Sequence, residues 1–132
     1  MNKKYFAKII AKDPQGLQMI SAYCSESRVK IHEIRYLKKN KIFLLSIQRL
    51  NKENNNIKDK INSILKFDYI SSSKSKNIDQ NNPDLIIEFL AINLFKRDHN
   101  YEITLLFSNN AIITLSAEII EATLEDQKKI ND

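Results

Sequence analysis

Apolar and polar residues alternate along Tyr101–Phe107 and again along Ala111–Leu115, with Ser108-Asn109-Asn110 between the two runs. A period of two predicts half-buried strands. Asparagine accepts the positive φ that tight hairpin turns require, so the stretch predicts a β-hairpin. After Leu115 the pattern changes. Ile120, Thr123, Leu124 and Gln127 fall along one side at helical spacing, which predicts an amphipathic C-terminal helix over about residues 117–127. Glu118 near its start and Lys128-Lys129 near its end match the helix dipole. Ile120 and Leu124, four apart, would bury that helix against the hairpin face formed by Ile103, Leu105 and Phe107.

The same reading covers the rest of the chain. Tyr5–Asp13 predicts a first strand. Asp13 and Pro14 suit the N-cap and first position of a helix over residues 14–25. Leu17, Ile20, Ser21 and Cys24 define its face, and Ser25-Glu26-Ser27 ends it. Along Arg28–Leu37 the alternation slips: Val29 and Ile31 share one parity, Ile34 and Tyr36 the other. A strand that changes faces predicts a β-bulge near His32-Glu33. Lys38–Lys41 is a polar turn into a strand over Ile42–Leu50, with Phe43, Leu45 and Ile47 on one face.

Asn51–Asn62 is polar and biased in composition, as in a mobile surface loop. Residues 57–66 fit a helix or a strand, and a strand from about Asn62 is favoured. Ser71–Lys76 extends a strand, and a loop follows as far as Pro83. Leu85–Phe95 is almost continuously apolar, which suits a buried helix or a covered strand; its Phe and Ile content favours strand. Lys96–Asn100 is turn-like. The expected fold is α+β: one domain, residues 1–132, built on a curved, mostly antiparallel sheet or partly open barrel. It has six to seven strands, one N-terminal helix and one C-terminal helix.

Composition narrows the function classes. Apolar residues make up 42% of 132, enough for one core. Cys24 is the single cysteine and forms no internal disulfide, which suits a reducing cytosol, and its helical position makes it a core residue. Lys8 and Lys12 interrupt the apolar run that a signal peptide would need, and no run reaches the roughly 18 to 20 apolar residues of a membrane span. The expectation is a cytoplasmic protein without a span. The net charge is +5, which can signal nucleic acid. Yet lysine, asparagine and isoleucine are abundant throughout, and only Arg28, Arg35, Arg49 and Arg97 supply guanidinium groups. Dispersed lysine predicts weak nucleic-acid binding at most.

Catalytic motifs are missing. Gly16 is the only glycine, so neither the P-loop nor the dinucleotide fingerprint can form. His32, His99 and Cys24 complete no zinc motif. A Cys24-His32 or Cys24-His99 nucleophile pair stays open, with a core Cys24 the simpler account. Glu118, Glu121 and Glu125 would share a helix face beside Asp126; a solvated face explains that spacing more simply than an acid–base pair. Lys74 and Lys76 share one side of the Ser71–Lys76 segment. With its serines they are candidate anion-binding residues, although lysines on an edge strand also block aggregation. No aromatic platform accompanies them. No catalytic, cofactor-binding or metal-binding residue is assigned, and no cofactor is expected. The order of readings is a non-catalytic binding or scaffold module acting on a protein partner, then an anion-binding module for nucleic acid or a phosphorylated ligand, then an enzyme.

The ordered series "RVKIHEIRYLKKNKIFLLSIQRLN", "FDYISSSKSKNI", "LAINLF" and "ITLLFSNNAIITLSAEIIEATLED" resembles an uncharacterised alphaproteobacterial family, domain of unknown function 2948. The resemblance covers most of the chain. Asn77 and Asn109-Asn110 stand where that family would have glycine. The resemblance implies no activity and no cofactor. Its strand series closed by a C-terminal helix looks like a pleckstrin-homology-type barrel.

Overall fold

The computed structural model describes residues 7–50 and 60–127. In chain order these form β1 (Lys8–Ala11), α1 (Pro14–Cys24), β2 (Arg28–Lys30), β3 (Ile34–Leu37), β4 (Ile42–Leu50), β5 (Lys60–Phe67), β6 (Ile70–Lys76), β7 (Ile86–Lys96), β8 (Tyr101–Phe107), β9 (Ile112–Ala117) and β10 (Ala122–Asp126). The strands make one ten-stranded antiparallel sheet in the order β1-β10-β5-β4-β2-β7-β8-β9-β6, with β3 also paired to β4.

Period-two burial builds the core. Phe43, Leu45 and Ile47 of β4 point inward, as do Leu65 and Phe67 of β5. Cross-strand rows run Ala122–Phe67–Phe43 and Leu124–Leu65–Leu45 over three neighbouring strands. Helix α1 packs against β1, β4 and β7. Its start is as the sequence predicts: the Asp13 side chain accepts a hydrogen bond from the Gly16 amide at 2.7 Å, and Leu17, Ile20 and Cys24 are buried. A Cβ on Gly16 would lie 3.0 Å from Ala11 Cα, so the residue type lets α1 begin close against β1. Ser21 Oγ accepts from the Ile92 amide at 2.9 Å and ties the helix to β7.

Several expectations hold. Asn109 and Asn110 both take positive φ, 62° and 61°, in the turn between β8 and β9. Asn77 does the same at 63°. Residues 60–67 are strand, as is the apolar run of β7. The Ser71–Lys76 segment lies in β6, an outermost strand of the sheet.

Three expectations are corrected. The C-terminal segment is not a helix. Residues 118–121 turn, and Ala122–Asp126 form β10 between β1 and β5. Leu124 is buried as expected, but through a period of two: Ile120, Ala122, Leu124 and Asp126 are buried, while Ile119 is 47% exposed. A spacing of four fits both periods, and the buried charge at Asp126 masks the alternation. The architecture is therefore ten strands and one helix in a sheet that does not close, not six to seven strands and two helices, and without a C-terminal helix the pleckstrin-homology-like arrangement falls away. Lastly, the parity slip is a 3-10 turn at Ile31–Glu33, not a bulge. It separates β2, which goes on to pair with β7, from β3, which stays on β4. The expected strand residues Tyr5 and Phe6, and most of the expected Asn51–Asn62 loop, lie outside the described residues.

Candidate functional site

Two polar or open features stand out from the apolar core. The first is a buried ion pair. Alternation along β4 continues from Ile47 to Arg49, which is 0% exposed. Arg49 Nε donates to Asp126 Oδ1 at 2.8 Å and Nη2 to Oδ2 at 2.6 Å. Ser63 Oγ donates to the same carboxylate at 2.6 Å, and the Ala7 amide at 2.7 Å. The guanidinium carbon lies 5.4 Å from the Tyr23 ring centroid on α1, a cation–π distance. Burial pushes the Asp126 carboxyl upward, but hydrogen bonds from Arg49, Ser63 and Ala7 and the Arg49 charge outweigh it and hold the group below its ordinary value. Every oxygen is occupied, so this arrangement fastens β1, β4, β5, β10 and α1 together and leaves no atom directed at a ligand.

The second feature is an open seam. Among the described residues β3 pairs only with β4, and β6 only with β9. The curl of the sheet brings these two unpaired edges opposite each other. They meet at one end, where Tyr36 Oη donates to the Ile70 carbonyl at 3.0 Å and the Ile70 amide to the Lys41 carbonyl at 2.8 Å. At the other end the loop over residues 77–85 crosses to the 3-10 turn, where the His32 amide donates to the Pro83 carbonyl at 3.1 Å and the Ile31 amide to the Leu85 carbonyl at 3.0 Å. Between the two closures lies a cleft of about 400 Å³, within the usual range for ligand pockets. Ile31, Ile34, Tyr36, Phe43, Ile78, Pro83 and Ile113 supply its apolar wall; Ser73, Ser75, Gln80 and His32 supply polar groups. His32 Nδ1 lies 3.0 Å from the Pro83 carbonyl oxygen, and Glu33 and Asp84 carboxylates flank the ring at 3.8 and 3.9 Å.

The residues flagged in the sequence are placed as follows. Lys74 and Lys76 lie on β6 opposite Thr114 and Ile112. They are exposed, on the opposite parity to Ser73 and Ser75, so they stand along the outer rim of the cleft and not inside it. Cys24 is in the core at 0% exposure, while His32 lies at the half-exposed cleft end. Glu118, Glu121 and Glu125 do not share a helix face. They separate to Lys41, Lys12 and Lys8 respectively. The bond and charge of Glu118 raise the Lys41 pKa above its ordinary value. Among the described residues no group of three or more His, Cys, Asp or Glu could hold a metal ion, and no helix is long and apolar enough to cross a membrane.

Arg49 and the cleft were not read from the sequence. For Arg49 a signal exists: it continues the parity of Phe43, Leu45 and Ile47, a charge at the end of an apolar stripe. For the cleft none exists, because it depends on which distant strands meet.

No curated protein and no solved structure matches the chain. A family model described as "Protein of unknown function (DUF2948)" matches residues 7–131, and the chain belongs to that family.

Proposed function

We propose that the protein is a non-catalytic binding module that acts through protein contacts, with the cleft between β3 and β6 as the place of contact. The observation that carries this reading is the seam itself, an apolar-walled opening bordered by two strand edges that, among the described residues, pair on one side only. Backbone N–H and C=O groups on such edges need partners, and an extended segment of another protein supplies them in a recurring mode of recognition. The proposed setting is the cytoplasm, where the Cys24 thiol stays reduced.

The test is to pan a library of random short peptides, displayed on phage, against the chain and against Ser75→Trp, which fills the cleft. Enriched peptides that bind the parent and lose at least tenfold in affinity for Ser75→Trp support the reading. Peptides that bind both equally, or a library that yields no binder, overturn it.

A different observation favours the anion-binding alternative. Where β2 and β4 share only the Arg28–Gln48 pair, a groove of about 430 Å³ is lined by Arg28, Lys30, Gln48 and Asn62, with the Glu33 carboxylate also present. Titration with single-stranded DNA at two salt concentrations tests it. Binding tighter than micromolar at physiological salt would replace the protein-contact reading, since non-specific contacts give only about 10⁻⁴ to 10⁻⁶ M.

A further inference from the structure

Resting on the cleft reading above, we infer that the partner is an extended, acidic segment of a different protein, of which a short stretch lies along β3 and β6 in the interval between the two closures, with apolar side chains at alternate positions facing in and carboxylates facing out. Three observations point the same way.

The first is register. In a strand, successive side chains point to opposite faces. On β3, Ile34 and Tyr36 line the cleft while Arg35 takes the outer parity; on β6, Ser73 and Ser75 line it while Lys74 and Lys76 take the outer parity. A strand laid between them would therefore meet an inner row of Ile34 and Tyr36 on one side and Ser73 and Ser75 on the other, over the apolar floor of Phe43 and Ile113, and an outer row that carries Arg35, Lys74 and Lys76. Its own side chains must alternate to match.

The second is charge. Arg35, Lys74 and Lys76 are exposed, and cross-strand pairs of opposite charge are favourable while like charges repel. The chain as a whole carries +5, so acidic segments are also drawn in at long range. The Glu33 and Asp84 carboxylates lie at the His32 end, and at the opposite end Glu118 is paired with Lys41. The partner's acidic positions thus lie beside Arg35 and Lys74, away from the His32 end.

The third weighs against a second copy that pairs through the same edge. Lysines on an edge strand act against self-pairing. Two β6 edges brought together would set Lys74 and Lys76 against the same residues of the other copy. The same lysines that discourage self-association select a partner of opposite charge.

The experiment uses the full chain and three synthetic probes. The first is acetyl-Glu-Ile-Glu-Leu-Glu-Val-amide. The second has lysine in place of each glutamate. The third is the acidic sequence N-methylated at alternate residues, so that it cannot complete a strand ladder. Affinity is read by fluorescence anisotropy, and location by amide hydrogen exchange over β3 and β6. The expected result is that the acidic probe binds and slows exchange on both edges. The lysine and N-methylated probes should bind at least tenfold more weakly, Lys74→Glu with Lys76→Glu should reverse the preference between the two charged probes, and added salt should weaken the acidic probe. Equal binding of acidic and lysine probes, or full binding of the N-methylated one, overturns the acidic-strand inference and leaves the cleft as a site of another specificity. If no probe binds and the displayed library also yields nothing, the cleft reading falls with it.

Discussion

The molecule treats its two exceptional seams in opposite ways. Where β10 lies between β1 and β5, a buried arginine and aspartate meet, and hydrogen bonds from Ser63 and Ala7 complete the carboxylate's shell. Where β3 faces β6, no strand intervenes among the described residues, and backbone edges border an apolar hollow. Charge taken out of water must be paired and fully bonded, or it costs several kcal/mol. The first seam meets that demand and so has nothing left to offer a partner. The second has edges that pair on one side only among the described residues, rimmed by exposed lysines. Buried polarity marks where the fold is fastened, and incomplete pairing marks where we propose that it receives another chain.

The largest expected effect comes from breaking the fastened seam on one side only. Arg49→Met leaves the Asp126 carboxylate buried without its cation. Such a loss typically costs about 3 to 5 kcal/mol, a large part of the roughly 5 to 15 kcal/mol that holds a domain. Urea unfolding of the variant should show it. The double variant Arg49→Met, Asp126→Leu should lie closer to the parent than Arg49→Met alone, because no charge is stranded. If Arg49→Met unfolded at the parent's midpoint, the contrast between the seams would be lost.

The next largest effect concerns the turn from β9 into β10. Leu124→Ala should cost about 2 to 5 kcal/mol, as for other buried leucines. Glu121→Ala and Glu125→Ala, whose long ion pairs are made to the exposed Lys12 and Lys8, should each stay within about 0.5 kcal/mol. Those values alone do not separate helix from strand. Ala122→Leu does. Ala122 is 0% exposed and shares the inward row with Leu124, so overpacking should cost about 1 to 3 kcal/mol. On a helix, residue 122 would face away from Ile120 and Leu124, and the substitution would be harmless.

How far the sequence reveals all this depends on the range of the interaction. The capped start of α1, the asparagine turn and the strands of the β8–β9 hairpin rest on neighbouring residues, and local chemistry determines them. The C-terminal strand is not legible locally, because Ile120 and Leu124 suit either period and the residue that would break the tie, Asp126, is polar. Its burial makes sense only beside Arg49, 77 positions away. Each charge ends an apolar stripe of its own, which hints at a pair, but nothing local says that β10 and β4 flank the same β5. The cleft is harder still. Its walls come from β3, β6 and the loop that bridges them, and an unfilled gap leaves no residue type to read.

Acid should loosen the fastened seam gradually. Asp126 holds its proton more weakly in the folded state than in the unfolded chain, because its folded pKa is lowered. Its contribution is therefore complete above the unfolded value, about pH 4, and drains away as pH falls through the lower folded value. Asp126→Asn carries no such dependence. The difference in urea midpoint between parent and Asp126→Asn should be steady from pH 7 to about pH 5 and shrink towards pH 3. A difference that grew on acidification would reverse the assignment.

The smallest expected effect is at the open seam, and its smallness is the point. Ser75 is exposed on β6 and borders the cleft. An indole there enters existing space instead of displacing packed atoms, and it removes no hydrogen bond on which β9 depends, since the β6–β9 ladder is made by backbone. Lys74→Glu changes a charge that faces water. Surface substitutions of this kind usually stay within about 0.5 kcal/mol, so both variants should melt within a degree or two of the parent while losing peptide binding. Thermal unfolding beside the binding assays decides it. A Ser75→Trp that melted well below the parent would mean that the hollow is part of the packed core, and the distinction between a fastened seam and a receiving one would no longer hold.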